Sequence, residues 1–177
     1  MIALCYADKS RESYFAGCAE TAWATLQLAG RHIAALRLEL RAQQGAGNWN
    51  EVLRIARQLE KRDALAFEAF REVTLRAHCE NVAQHAGDLG LLLAYLREVP
   101  EREMGAKLVC EAADLLIAQG SHEAARRLIE DQLAREWDSE LVIRFGRTEG
   151  DVSGRIAKAE AWLTAHPRDA ALLVVLG

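Results

Sequence analysis

His78 and His85 stand seven residues apart, with Cys79 beside the first. Imidazole and thiolate are the usual ligands for zinc and its neighbours. On a straight helix, however, seven residues are two turns and about 10.5 Å of rise, too far for both rings to grip one ion. His32, His122 and His166 stand alone beside turn signals. All five histidines are read as solvated or capping side chains, and no metal site is expected. Cys5, Cys18, Cys79 and Cys110 are irregularly spaced with no CxxC pair, so they read as free thiols acting as small buried hydrophobes in a reducing compartment. The carboxylates of Glu68 with Glu72, and of Glu136 with Asp138, have the types that acid–base chemistry uses. On a helical surface such runs are normally a solvated face. There is no Gly-rich phosphate loop, no HExxH, and no motif around a Ser or Cys nucleophile. The sequence therefore predicts no catalytic residue and no cofactor, and the chain is read as non-enzymatic.

The elements that must carry these residues are helices. Ala and Leu number about 57 of the 177 residues against about 21 for Val, Ile and Thr, a bias toward helix and away from strand. A composition of 51% hydrophobic, 27% charged and 2 Pro describes a folded chain. Turn signals at Gly30, Gly45 to Gly47, Gly87, Pro100, Gly120, Trp137-Asp138-Ser139, Gly150 and Pro167 separate segments with helical apolar spacing. Helices are predicted near 9–29, 31–45, 48–61, 64–84, 88–98, 102–119, 121–135, 139–147, 152–166 and 169–176, with no strand. Asn48, Ser121, Ser139 and Asp151 are the expected N-caps. Gly120 is expected to end its helix in a left-handed conformation. Trp23, Trp49, Trp137 and Trp162 fall at apolar helix positions or a helix end and read as core.

With 22 basic and 26 acidic residues the net charge is -4, which disfavours a phosphate backbone as partner; no nucleic-acid partner is expected. No apolar run reaches the ~18 residues of a membrane span, and the first seven residues lack the basic start of a signal peptide.

Short connections recurring at half of a 34-residue period mark helix-turn-helix repeats. Gly87, Gly120 and Gly154 stand 33 and 34 residues apart. Gly47-Asn48-Trp49-Asn50-Glu51-Val52-Leu53 and Gly120-Ser121-His122-Glu123-Ala124-Ala125-Arg126 share the order that opens the second helix of a tetratricopeptide repeat. The fold expected is all-α: a right-handed superhelical array of antiparallel helix pairs, a solenoid of about ten helices over one domain, 1–177, without a linker. Residues 9–29, with Tyr14, Phe15, Ala22, Leu26 and Ala29, read as a second helix lacking its first. Residues 171–177 read as a first helix lacking its second, so the chain is expected to be a repeat fragment with tacky ends.

Further segments carry a family resemblance. They are His32 to Leu38, Gly47 to Leu53, Leu59-Glu60-Lys61, Ala112 to Leu116 with the Gly120 turn, Leu133 to Asp138, Ala161-Trp162-Leu163 and His166 to Leu173. In this order they resemble the tetratricopeptide region of HemY, a bacterial inner-membrane family associated with protoheme biogenesis. The resemblance implies a helical superhelix carried behind two N-terminal membrane helices and facing the cytoplasm. Those membrane helices are absent here, and the family has no catalytic motif to carry over. Haem iron would need an axial His, Cys, Met or Tyr in an apolar pocket, and none of the five histidines is read as that ligand.

Recognition is expected on the first helix of each pair, which lines the concave side of such a superhelix. Register places Arg37, Arg41 and Gln44 there, then Asn81, Gln84 and Lys107, with Asp114 and Arg144 beyond. Mixed-sign polar groups along a groove suit a peptide or protein partner. A protein-interaction scaffold is therefore the leading reading. A haem or porphyrin carrier, and a module that self-associates through its end helices, are the alternatives.

Overall fold

The computed structural model describes Leu28, Gly30 and residues 32–176. The helix expected over 9–29 falls outside these apart from Leu28, as do Cys5, Cys18 and Trp23. Among the described residues every regular element is helical and none is a strand. The chain divides into two compact units, Met1–Ala66 and Phe67–Gly177.

In the first unit, α1 (32–46) and α2 (Trp49–Glu60) are joined by two residues. Gly47 makes that joint possible at φ 72°, where a side chain would meet the backbone. The Asn48 amide then donates back to the Gln43 carbonyl at 3.0 Å, closing the helix end as a left-handed residue does. The same closure recurs at Asp63 (φ 50°), where Ala64 donates to Leu59 at 2.9 Å. It recurs at Gly120 (φ 74°), where Ser121 donates to Leu116 at 2.8 Å. Leu36 and Leu40 of α1, and Trp49, Val52, Leu53, Ala56 and Leu59 of α2, are buried; their i, i+3, i+4 spacing is the stripe that the sequence predicts.

The second unit contains α3 (Phe67–Gln84), α4 (Leu89–Glu98), a 3-10 turn (Glu101–Glu103), α5 (Ala106–Ala118), α6 (His122–Leu133), α7 (Ser139–Gly146), α8 (Val152–Ala165) and α9 (Ala170–Leu176). α5 packs against α3, α6 and α7; α7 also packs against α9, and α8 against α9. Two apolar stripes explain the central place of α5. Leu108, Ala112 and Leu116 join Val82, Leu92, Leu96 and Ala125 in one core, while Val109 and Ala113 join Ile129, Leu141, Phe145 and Leu172 in the other. Gly146 lets α7 and α9 approach closely, since a Cβ there would lie 2.7 Å from a methyl of Val175.

Several boundaries and caps differ from expectation. α5 begins at Ala106 rather than 102 because Pro100 starts a separate 3-10 turn, after which Met104 and Gly105 are extended. Asp151 caps α8, accepting from Gly154. Asn48 and Ser121 occupy N-cap positions without a side-chain cap bond; the Asn48 side-chain Nδ2 instead donates to Gln43 Oε1 at 2.7 Å. Asp138, not Ser139, caps α7, accepting from Glu140 and Leu141. Its carboxylate has two oxygens for the orphan amides and a negative charge that suits a helix start.

Candidate functional site

α3, α5 and α7 lie side by side. A concavity of about 510 Å³ opens between α3 and α5. Leu75, Arg76, Cys79 and Ala83 line it from α3, and Lys107 and Glu111 from α5, with Glu72 and Glu80 at its edges. Residues four apart on one helix share a face, so Glu72, Arg76 and Glu80 form one alternating row. Lys107 and Glu111 form another. The surface is mixed in sign rather than uniformly basic or acidic.

Cys79 lies at this concavity as a half-buried thiol. Desolvation, with a hydrogen bond to Glu111 and the charge of that carboxylate, pushes its pKa up to about 12. Burial likewise raises Cys110, with Asp138, Asp114 and Glu140 opposing ionisation and Arg144 favouring it. Both shifts disfavour the thiolate, the reactive form of cysteine.

Farther along this face, Arg144 Nε of α7 donates to Asp114 Oδ2 of α5 at 3.0 Å, and its Nη1 to Glu140 Oε2 at 3.0 Å. Desolvation acts to discharge Arg144, but these two bonds outweigh it and raise its pKa. Asp114, Arg144 and Lys107 thus belong to the α5 and α7 part of the face. Gln84 is exposed at the end of α3. Arg37, Arg41 and Gln44 belong to the first unit, where Arg37 Nη2 donates to the Ala64 carbonyl at 2.7 Å. Arg37 and Arg41 are exposed, and Gln44 is half-buried.

Asn81 is only 2% exposed. Its amide donates to the Tyr95 hydroxyl at 2.9 Å, within a buried polar network that sequence reasoning missed. His78, expected at a solvated or capping position, is also 2% exposed. Its Nδ1 is 2.7 Å from the Tyr95 hydroxyl and its Nε2 is 3.0 Å from Glu103 Oε2. An ionised Glu103 carboxylate can only accept, which calls for a hydrogen on Nε2; in the neutral ring Nδ1 is then the acceptor, and the Tyr95 hydroxyl, itself accepting from Asn81, is the donor within reach of it. This ties α3, α4 and the 3-10 turn together. Glu103 was hidden in the charged run Glu101-Arg102-Glu103, which reads as a wet surface; only its place after Pro100 hints at a turn that folds one acid inward.

The other described histidines have separate surroundings. His85 packs 5.4 Å from the Tyr95 ring, and His122 Nε2 is 3.7 Å from Glu149. His166 stacks on Trp137 at 3.7 Å, and His32 is exposed. Among the described residues no group of three or more His, Cys, Asp or Glu is placed to hold a metal ion. None of the described helices is long and apolar enough to cross a membrane.

Trp49 is buried, and Trp137 and Trp162 pack on the core with Phe145. Trp137 Nε1 and Ser139 Oγ both donate to Asp169 Oδ2 at 2.7 Å. No protein-family model, curated protein or solved structure matches the chain.

Proposed function

We propose that this chain is a non-enzymatic protein-binding scaffold, a tetratricopeptide-like solenoid of antiparallel helix pairs. Its partner is an extended protein segment lying along α3, α5 and α7. The observation that carries this reading is the mixed-sign concavity between α3 and α5, continued by Asp114 and Arg144 on neighbouring helices. Alternating charges fix the register of a bound segment more than they add affinity. Leu75 and Ala83 supply apolar contact. The HemY resemblance adds a bacterial inner-membrane setting and a place near haem synthesis, with attachment through segments outside this sequence. His78, the histidine most enclosed, is engaged through both ring nitrogens, which favours the scaffold over a haem carrier using that residue.

The test is site-specific photocrosslinking in cells, with the crosslinker at Glu80 or Lys107 and, as control, at Glu160 on α8. A discrete partner captured from the first two positions and not the third is expected. Its capture from the Glu80 position should fall about tenfold when Arg76→Glu and Lys107→Glu are combined. Equal capture from all three positions, or no loss in that variant, overturns the reading.

A further inference from the structure

A second groove, of about 560 Å³, opens between α4 and α6. Leu93 and Leu96 of α4, Met104, Leu116 of α5, and Ala124 and Leu128 of α6 give it an apolar lining. Leu96 and Leu116 belong to the core beneath, so the groove is an opening onto packed apolar side chains. Exposed apolar surface of this kind gains free energy when covered.

The edges say what covers it. Along α6 and the turn after it, Glu123, Arg127, Asp131 and Arg135 line one side at four-residue steps. Their signs run minus, plus, minus, plus. At about 1.5 Å per residue the row spans about 18 Å, a little over three helical turns. Arg97 and Glu101 stand at the other side. Among the described residues Arg97, Glu101 and Asp131 hold no ion pair. Glu123 is paired with Arg126 at 3.2 Å and with Arg127 at 2.9 Å; the Arg127 pair, at 77% and 63% side-chain exposure, contributes little and exchanges readily.

We propose that this groove binds an amphipathic helix of a partner protein. Its apolar stripe fills the Leu93–Leu128 floor, and one flank carries Lys or Arg alternating with Glu or Asp at four-residue steps, opposite in sign to the α6 row. A row of charges repeating every 6 Å or so matches the i, i+4 repeat of another helix, and apolar seams flanked by such charges set partner choice in helix pairing. A membrane surface would call for a uniformly basic edge, and a small amphiphile cannot span the row. This groove is lined mainly by α4 and α6 and shares no lining residue with the concavity between α3 and α5, so either proposal can fail without the other.

The experiment uses the full chain and two fluorescein-labelled synthetic helical peptides, read by anisotropy. Both have leucines at heptad a and d positions and identical composition. One flank reads Lys, Glu, Lys, Glu at four-residue steps; in the other peptide it reads Lys, Lys, Glu, Glu. Saturable binding about tenfold tighter for the alternating peptide is expected. Arg127→Asp combined with Asp131→Arg turns the row into minus, minus, plus, plus without altering the core or the net charge. It should transfer the preference to the second peptide. Leu128→Asp should abolish binding, with circular dichroism confirming the fold. Equal affinities, no binding of either peptide, a preference unmoved by the double swap, or filling by decanoate but not by peptide would overturn the proposal.

Discussion

Arg144 of α7 donates from Nε to Asp114 of α5 at 3.0 Å while its terminal Nη1 holds Glu140 of its own helix. One guanidinium thereby links two neighbouring helices across 30 residues of sequence. Its side chain is 19% exposed and that of Asp114 is 45% exposed, so solvent screens the pair. A double-mutant cycle of Arg144→Ala and Asp114→Ala is expected to give a coupling of about 0.2–1 kcal/mol in urea unfolding. Raising salt should reduce it. A coupling above about 3 kcal/mol would show that the pair behaves as a buried one.

The Cys79 thiol, with its pKa pushed up to about 12 by burial and Glu111, should resist dithiodipyridine at pH 8. Only about one molecule in ten thousand is thiolate there, against roughly a quarter for an ordinary cysteine; the greater nucleophilicity of a high-pKa thiolate recovers part of the loss. Peptide mapping should find Cys79 labelled roughly fiftyfold slower than a free cysteine. Glu111→Gln removes a hydrogen-bonding charge that opposes ionisation, so Cys79 should label faster in that variant. An ordinary labelling rate in the wild type would contradict the assignment.

The helices were legible because each apolar stripe and each turn is written locally. Gly47 and Gly120 stand where the chain needs a left-handed residue, and the expected and observed helix limits around them agree within a residue or two. Asp63 takes the same conformation without glycine and carries no comparable signal. The site was less legible, because burial of polar groups is set by partners far away in sequence. Asn81 and Glu103 have the residue types of a wet surface, and only the arrival of Tyr95 and His78 from other turns of the chain makes their burial affordable. Asp114 and Arg144 were separately readable as candidates, but their contact depends on how α5 meets α7.

Removing the Tyr95 hydroxyl tests that buried network. Tyr95→Phe keeps the ring but leaves His78 Nδ1 and the Asn81 amide each short of the bond they make to it. Unsatisfied buried groups of this kind cost about 1–3 kcal/mol, and a loss in that range is expected in denaturant unfolding with the slope unchanged. In the wild type, nitrogen NMR should find His78 protonated at Nε2 and bare at Nδ1. The opposite tautomer would show that the hydrogens run the other way through the network.

Asp169 gives the chain a predictable acid response. Partial desolvation works to raise its pKa, but hydrogen bonds from Ser139, Trp137 and the amides of Ala171 and Leu172 outweigh it and leave the carboxyl below its ordinary range. Those donors favour the ionised form in the folded state. A carboxyl depressed on folding binds more protons when unfolded, so its contribution is complete above the unfolded value of about 3.9. It is lost as pH falls from there through the lower folded value. Stability should therefore fall below about pH 4, and Asp169→Asn, which cannot titrate, should show a shallower acid slope while being less stable at pH 7. Because Trp137 donates to this carboxylate, indole fluorescence should change over the same acid range in the wild type and stay flat in the variant until unfolding. Identical acid slopes in the two proteins would show that Asp169 contributes no proton linkage.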